Sequence, residues 1–366
     1  MRVALLTSAN GWRGSGVSYA KLARGLADRG HVAQLVTARP RLTRRLVEEG
    51  FDVTEIPGRD TGPREVLALR RVLAKIGAEA IVTDTPRDIR LSVYATLLHR
   101  AHIVYRYNLN YRRPRTHLMD RVYLSRVAAC VYQSRYIRDD AIGHARWMAR
   151  IRAYHVPNGY DVQRHAPNVD AGRAFRAVYG IAPETRVVLS AAKLTRNKGH
   201  DVAIAALSRV RRAGTELLYV VCGDGQLEGE LLALAHREGL PVLFTGLLTT
   251  EDMIGAYNAA DLVVHPSLQE IFPNAVGEAM SCGRPVVAAD AGGTGELLGR
   301  DGAAGVLVPA SDVEALRDAV GALLRDDGRR RALGAAARSR VETEFPVARM
   351  IDGYERALEE VVGSGA

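Results

Sequence analysis

The sequence predicts an α/β protein made of two doubly wound domains with mostly parallel sheets. Three observations predict it. Apolar strand-like runs alternate with amphipathic helical runs along the chain, which is the pattern of a parallel sheet with helices on both faces. The alternation runs twice, on either side of the turn-rich, aperiodic stretch "HVPNGYDVQRHAPNVDAG" at 155–172, where a linker belongs. And 366 residues exceed what one hydrophobic core organises. The expected domains are 1–165 and 166–345, with a final helix over 346–366 returning to pack on the first.

In the first half, "RVALLTS" is a strand, followed by a helix from about Val17 to Arg29, the strand "HVAQLVT", a helix around 41–49 and the strand "DVTEIP". A helix near 65–76, the strand "AIVTD", a helix near 89–99 and the strand "HIVYRY" follow. The second half repeats the grammar: "RVVLSAA", helix 201–213, "LLYVVCG", helix 228–238, "VLFTG", helix 251–259, "LVVHPS", a helix from Asn274, "PVVAAD", "GVLVP" and helices to the end. The last, 347–362, is surplus to a finished second domain. Two facing domains of this kind bind ligands at the carboxyl ends of their strands.

Composition bounds the class. Hydrophobic residues make up 47% and charged residues 25%, without repeats or low-complexity tracts, as in a folded globular protein. The amino-terminal apolar run leads into a glycine turn and a helix rather than a cleavage site, so it reads as a strand. No window has the ~18 consecutive apolar residues of a membrane span. Cys130, Cys222 and Cys282 are far apart and form no metal-binding spacing, which points to a reducing cytoplasm. Charge is uneven: residues 1–165 hold 29 Lys and Arg against 14 Asp and Glu, while 166–366 hold 21 against 27. A basic first half attracts nucleic acid, anionic headgroups or a phosphorylated acceptor, and charge alone does not choose among them.

Loops of the second half carry the chemistry. In "SAAKLTRNKGH", Lys193 and Lys198 flank a turn closed by Gly199, and two ammonium groups at a strand's carboxyl end can neutralise a diphosphate without a metal. In "EIFPNAVGEAM", Pro273 suits the first position of a helix whose opening amides, Asn274 to Val276, favour a phosphate. Glu270 precedes this corner and Glu278 lies inside the helix, so they mark two ends of a ligand across the helix start. His31, His200 and His265 have no partner at metal-ligand spacing and read as structural.

"PSLQEIFPNAVGEAMSCGRPVVAADAGGTGELL", with Glu-x7-Glu from Glu270 to Glu278, resembles the signature of retaining GT-B glycosyltransferases of the family-4 type. "AKLTRNKGHDVAIAAL", "VCGDGQLEGELLALA", "HVPNGYD" and "GWRGSGVSYAKLARGLADRGHVAQLVT" are similar to further family segments. The resemblance spans nearly the whole chain and implies two Rossmann-like domains facing across a cleft. It implies that Lys193 and Lys198 bind the donor diphosphate, with Arg196 on the same loop. Glu278 would hold the ribose, and Glu270 would contact the donor sugar beside the backbone of Ile271, Phe272, Pro273 and Asn274. Gly14, Ser15 and Gly16 would bind the donor, approaching its phosphate or the acceptor from the first domain. Lys193 stands where the family usually has Arg, Ile271 where Gly is common, and Asp84 near a common His position.

The reading is a retaining, metal-independent glycosyltransferase that needs no cofactor beyond its nucleotide-sugar donor, acting in cell-envelope glycoconjugate or polysaccharide synthesis. The absence of any Asp-x-Asp fits a metal-free donor site. Asp84, Arg106, Arg112 and Arg113 are acceptor-side candidates. Arg112, Arg113, Arg115 and Arg121 interleave with Tyr111 and Tyr123, which suits a glycan or lipid-linked acceptor at an anionic membrane surface, so the protein is expected in the cytoplasm and peripheral on the membrane's inner face. A soluble acceptor is the rival. An epimerase on the same fold and a nucleic-acid-binding protein are the alternatives, the latter without any recognition-helix or aromatic RNA-binding signature.

Overall fold

The computed structural model describes residues 1–8, 14–58, 61–97, 99–107 and 118–364. In the first half the elements are β1 (Arg2–Thr7), α1 (Gly14–Asp28), β2 (Val32–Thr37), α2 (Pro40–Glu48), β3 (Val53–Glu55), α3 (Pro63–Ile76) and β4 (Ala80–Thr83). Next come α4 (Pro86–Thr96), β5 (His102–Tyr107), α5 (Leu118–Leu124), β6 (Val127–Tyr132), α6 (Arg135–His144) and β7 (Arg152–His155). The second half opens with α7 (Val169–Val178), β8 (Arg186–Ala191), α8 (His200–Arg212), β9 (Leu217–Cys222), α9 (Glu228–Arg237), β10 (Val242–Gly246) and α10 (Thr250–Ala259). It closes with β11 (Leu262–His265), α11 (Asn274–Ser281), β12 (Val286–Ala289), α12 (Thr294–Leu298), β13 (Val306–Val308), α13 (Val313–Arg325), α14 (Asp327–Glu344) and α15 (Val347–Gly363).

The chain forms two compact units, 1–159 with 347–366, and 160–346. The division at Gly159 falls ahead of the expected 165/166, because Tyr160 already belongs to the second unit: its backbone N–H donates to the Phe345 carbonyl and its ring is buried in that unit's core. Both sheets are parallel in every pairing, with orders β3-β2-β1-β4-β5-β6-β7 and β10-β9-β8-β11-β12-β13. The sequence reading of the first half stopped at β5. It missed β6 and β7, which extend that sheet by two strands, and α5, α6 and α12.

Strand residues alternate between faces, so each sheet feeds two cores. In the first unit Val3, Leu5, Val82, Val104 and Val131 face one side with Leu22 and Leu26 of α1, Leu42 and Leu46 of α2, and Met350, Ile351, Tyr354 and Leu358 of α15. The terminal helix is thus a core element of the unit to which the chain's first residues belong. Close approach makes room for it at two glycines. A Cβ on Gly25 of α1 would lie 2.5 Å from Ile351 Cγ1, and one on Gly159 would lie 2.6 Å from the Val347 Cα.

Gly25→Ala therefore lowers stability by about 1–3 kcal/mol through overpacking, although alanine is the better helix former by about 1 kcal/mol. Adding Ile351→Ala relieves the overlap, so the two changes together cost less than their sum in a double-mutant cycle of urea unfolding. A Gly25→Ala protein more stable than the parent contradicts this packing.

Candidate active site

In the second unit the loops after β8 and β11 meet at one carboxylate, and the loop after β9 braces the first of them. The first follows β8. It runs through Lys193 to a single 3-10 turn at Arg196–Lys198, then Gly199 at φ 66° starts α8. Only glycine fits there, since a Cβ would overlap the Pro266 carbonyl, and the turn is strapped down by the Leu268 N–H donating to the Asn197 carbonyl at 2.8 Å. The second loop follows β9. Gly223 and Gly225 lie so close to the Ala192 and Leu194 carbonyls that side chains at either would overlap them, and Leu194 N–H donates to the Asp224 carbonyl at 2.8 Å. The third connects β11 to α11 and carries Glu270.

Glu270 is mostly buried, and its Oε1 receives two donors: Lys198 Nζ at 2.5 Å and His265 Nε2 at 2.8 Å. A carboxylate oxygen only accepts, so the His265 ring must present N–H at Nε2. Burial pushes this carboxyl upward, but the hydrogen bond and charge of His265 and the ammonium of Lys198 outweigh it and hold it down at about 2. Gly292 seals the back of the site, where a Cβ would overlap the Glu270 carbonyl.

Glu278 lies in α11 and accepts from the Tyr257 hydroxyl at 3.1 Å. Pro273 is the N-cap of this helix, with φ −76° and ψ 115°, and Asn274 is its first residue. That corrects the expected placement of Pro273 in the helix by one position, for its extended ψ keeps it outside the helical turn. Its carbonyl accepts from the Tyr160 hydroxyl at 3.2 Å, while Gly277 leaves room for the Tyr160 ring. Phe272 is buried against Phe345, with ring centroids 5.4 Å apart, so only its backbone can line a ligand. Lys193 and Arg196 are exposed, Arg196 standing 3.5 Å from Glu230.

His265, read from the sequence as structural, donates to Glu270 at 2.8 Å. Its signal was its place at the end of β11, five residues before Glu270, but a strand end says nothing about which way the loop returns. His200 is structural as read: buried, with Nε2 3.3 Å from the Lys193 carbonyl, and driven by burial down to about 4. His31 pairs with Glu355 of α15 at 2.6 Å.

The first unit has its own polar cluster, at the ends of β1, β4 and β5. Asp84 follows β4 and is buried, with Thr7 Oγ1 donating to Oδ2 at 3.4 Å and no hydrogen-bond partner for Oδ1 among the described residues. Arg106 of β5 donates to Ser15 Oγ at 3.4 Å and to Asn158 Oδ1 at 3.0 Å. Gly14, at φ 20°, and Gly16 frame Ser15 at the start of α1. The Asp84 carboxyl is pushed up to about 6, first by burial and then by the charge of Asp88, with Arg106, Ser15 and Thr7 opposing. Arg112 and Arg113, with Tyr111 and Arg115, lie outside the described residues; Arg121 and Tyr123 are on α5. Among the described residues no group of three or more His, Cys, Asp or Glu could hold a metal ion, and no helix is long and apolar enough to cross a membrane.

Two doubly wound parallel-sheet units are the architecture of the GT-B fold, and the second carries a strand-end lysine loop and Glu-x7-Glu across a helix start. Family models for glycosyl transferases group 1 match residues 173–340 and for glycosyltransferase family 4 residues 12–164. The chain belongs to the group 1 glycosyltransferases. It is 34% identical over 199 residues, 52% of either chain, to the GDP-mannose-dependent monoacylated alpha-(1-6)-phosphatidylinositol monomannoside mannosyltransferase of Corynebacterium glutamicum. It is 36% identical over 221 residues, 57% of this chain and 52% of the other, to the D-inositol 3-phosphate glycosyltransferase of Xylanimonas cellulosilytica. The chain thus spans about half the length of these curated relatives. Its fold matches Anabaena HepE in complex with UDP-glucose, with a TM-score of 0.84 at 21% identity over 100% of both chains. Nothing in these likenesses supports the epimerase alternative.

Two pH-dependent outcomes follow from the geometry. A carboxyl held low stabilises the fold above its unfolded value, and this is lost as pH falls through the folded value. His265→Phe removes one donor from Glu270, so stability at pH 7 drops by about 1–3 kcal/mol, and the loss between Glu270's ordinary 4.5 and about 2 becomes shallower in urea titrations. Asp84 has the opposite sign: being raised, it favours folding below its ordinary 3.8 and loses that contribution as pH rises through about 6. Asp84→Asn should therefore be more stable than the parent at pH 8, on the order of 1–3 kcal/mol, and flatten the stability curve between pH 4 and 6. An unchanged curve in either variant overturns the assignment.

Proposed function

We propose that this protein transfers a sugar from a nucleotide-diphosphate donor to an acceptor hydroxyl, with retention of configuration and without an obligatory metal. The observation that carries the reading is the shared Glu270 oxygen, which fixes a lysine ammonium at the carboxyl end of β8 beside the start of α11. An ammonium has three N–H groups, so Lys198 can hold Glu270 and still meet a diphosphate, with Lys193 and Arg196 adding charge from the same loop. The opening amides of α11 suit the phosphate, Glu278 the ribose hydroxyls, and Glu270 the sugar. Gly14, Ser15 and Gly16 serve the donor phosphate or the acceptor from the first unit, and Arg106 and Asp84 the acceptor side.

In retaining transfer the acceptor attacks from the face the leaving group departs. The acceptor oxygen bonds to the anomeric carbon as the bond to the diphosphate breaks, and the departing diphosphate takes the acceptor proton. The side chains then position the reactants and stabilise charge growing on the leaving group. Relatives named for phosphatidylinositol mannoside and inositol 3-phosphate support an inositol-bearing or similar phosphorylated acceptor, in cell-envelope glycoconjugate synthesis. The basic first half supports meeting it at the cytoplasmic face of the membrane.

Lys198→Ala should lower turnover about 10²-fold or more while weakening free nucleoside diphosphate binding much less, since its contact strengthens in the transition state. Glu278→Ala should mainly raise the donor KM. Steady-state kinetics with screened nucleotide sugars, in EDTA, and NMR of the product anomer form the test. An inverted product, or a rate abolished by EDTA and restored by a divalent ion, overturns the reading.

A further inference from the structure

We propose that the outer surface of α3, α4 and α5 is a docking face for an anionic lipid bilayer. This rests on the reading that the acceptor is met at a membrane, and it names the surface that makes the contact.

The α1, α2 and α15 helices cover the side of the first sheet that Val3, Leu5 and Val82 face. Ala4, Leu6 and Ile81, also buried, point the other way by strand alternation. Right-handed crossovers place the helices of steps from β3 to β4 and onward on that second side, and α3 packs beside α4, which packs beside α5.

This layer has an outer face of unusual chemistry. Leu67 is 50% exposed, Tyr94 39%, Leu97 58% and Val122 50%. Tyr94 and Tyr123 join α4 to α5 edge to face, with centroids 5.8 Å apart and hydroxyls 2.6 Å apart. On α3, Arg64, Leu67, Arg71 and Lys75 follow one another at helical three- and four-residue spacing and so share a stripe. On α4, Arg90, Tyr94 and Leu97 do the same. Arg121 precedes Val122 on α5.

The cations of this face are not neutralised. Among the described residues, Arg64, Arg71, Lys75, Arg90 and Arg121 have no carboxylate within ion-pair distance. The other side of the same unit pairs its arginines, Arg29 with Asp352 and Glu355, and Arg45 with Glu49. Unpaired cations alone would suit any polyanion. Half-exposed leucines between them select a bilayer, whose interface accepts apolar side chains beneath a layer of phosphate, whereas a nucleic-acid backbone offers phosphate alone.

Sedimentation of the full chain with vesicles of neutral phosphatidylcholine, or of phosphatidylcholine mixed with anionic phosphatidylglycerol, tests this at low and high salt. The parent should bind the anionic vesicles, and less so at high salt. Arg71→Glu with Lys75→Glu should weaken that binding about tenfold or more. Leu67→Ser with Leu97→Ser should weaken it severalfold without changing the salt dependence. Arg329→Glu with Arg331→Glu, exposed positions on α14, should leave it unchanged, and a Tyr94→Trp indole should be quenched by brominated lipid. Parent binding with both face variants unaffected, or an unquenched indole, overturns this face and leaves the membrane reading to another surface. A parent that binds neither vesicle removes both. Equal competition by duplex DNA, with the leucine variant binding as the parent does, assigns the face to nucleic acid instead.

Discussion

A buried carboxylate must be supplied with donors or it will not stay ionised, and Glu270 is that carboxylate. Its two donors come from the loop after β8 and from the end of β11, while the backbone behind it is pressed by Gly292 after β12. One oxygen thereby ties the loop after β8 to the end of β11, and Gly292 allows the turn after β12 to rest on the backbone of the same residue. The glycines at 199, 223 and 225 keep the strand-end loops so close to one another that a Cβ at any of them would meet a neighbouring carbonyl.

The parts of this arrangement that could be read in advance were those set by local chemistry. The strand–helix alternation, the lysine turn closed by Gly199 and the start of a helix just past Pro273 depend on neighbours in the chain, and periodicity and turn rules report on neighbours. Strand β6, "VAACVY", is not legible because a short apolar run has no period of its own. Strand β7 is only four residues, Arg152–His155, and half-exposed, as an edge strand is. His265 and Asp84 were illegible for a different reason. Asp84 is raised first by burial and then by the charge of Asp88, and His265 meets Glu270 because the loop after β11 returns to the strand end; neither burial nor the return of a loop is carried by a spacing rule.

Charge behaves the same way. The excess of arginine in the first half was visible in composition, but composition does not distinguish an arginine that clamps a helix from one that waits for a partner. Arg29 holds α15 through Asp352 and Glu355, and Arg106 holds the Asn158 of the Pro-Asn-Gly segment at 3.0 Å. Those are internal struts. The arginines of α3 to α5 are of the other kind, and the distinction exists only once the helices are assigned to sides of a sheet.

The position of α15 has a bearing on how the protein comes into being. Its apolar face completes the core of the first unit, yet it leaves the ribosome only after all of 160–346. While the second unit is being synthesised, Leu22, Leu26 and the sheet residues beneath them lack their cover. The nascent first unit must persist with an open apolar groove for the time taken to translate nearly two hundred codons, at roughly 5–20 residues per second. Chaperone capture during that interval, and the severity of a premature stop codon within 160–346, are properties of the amino-terminal half set by residues that follow the second unit.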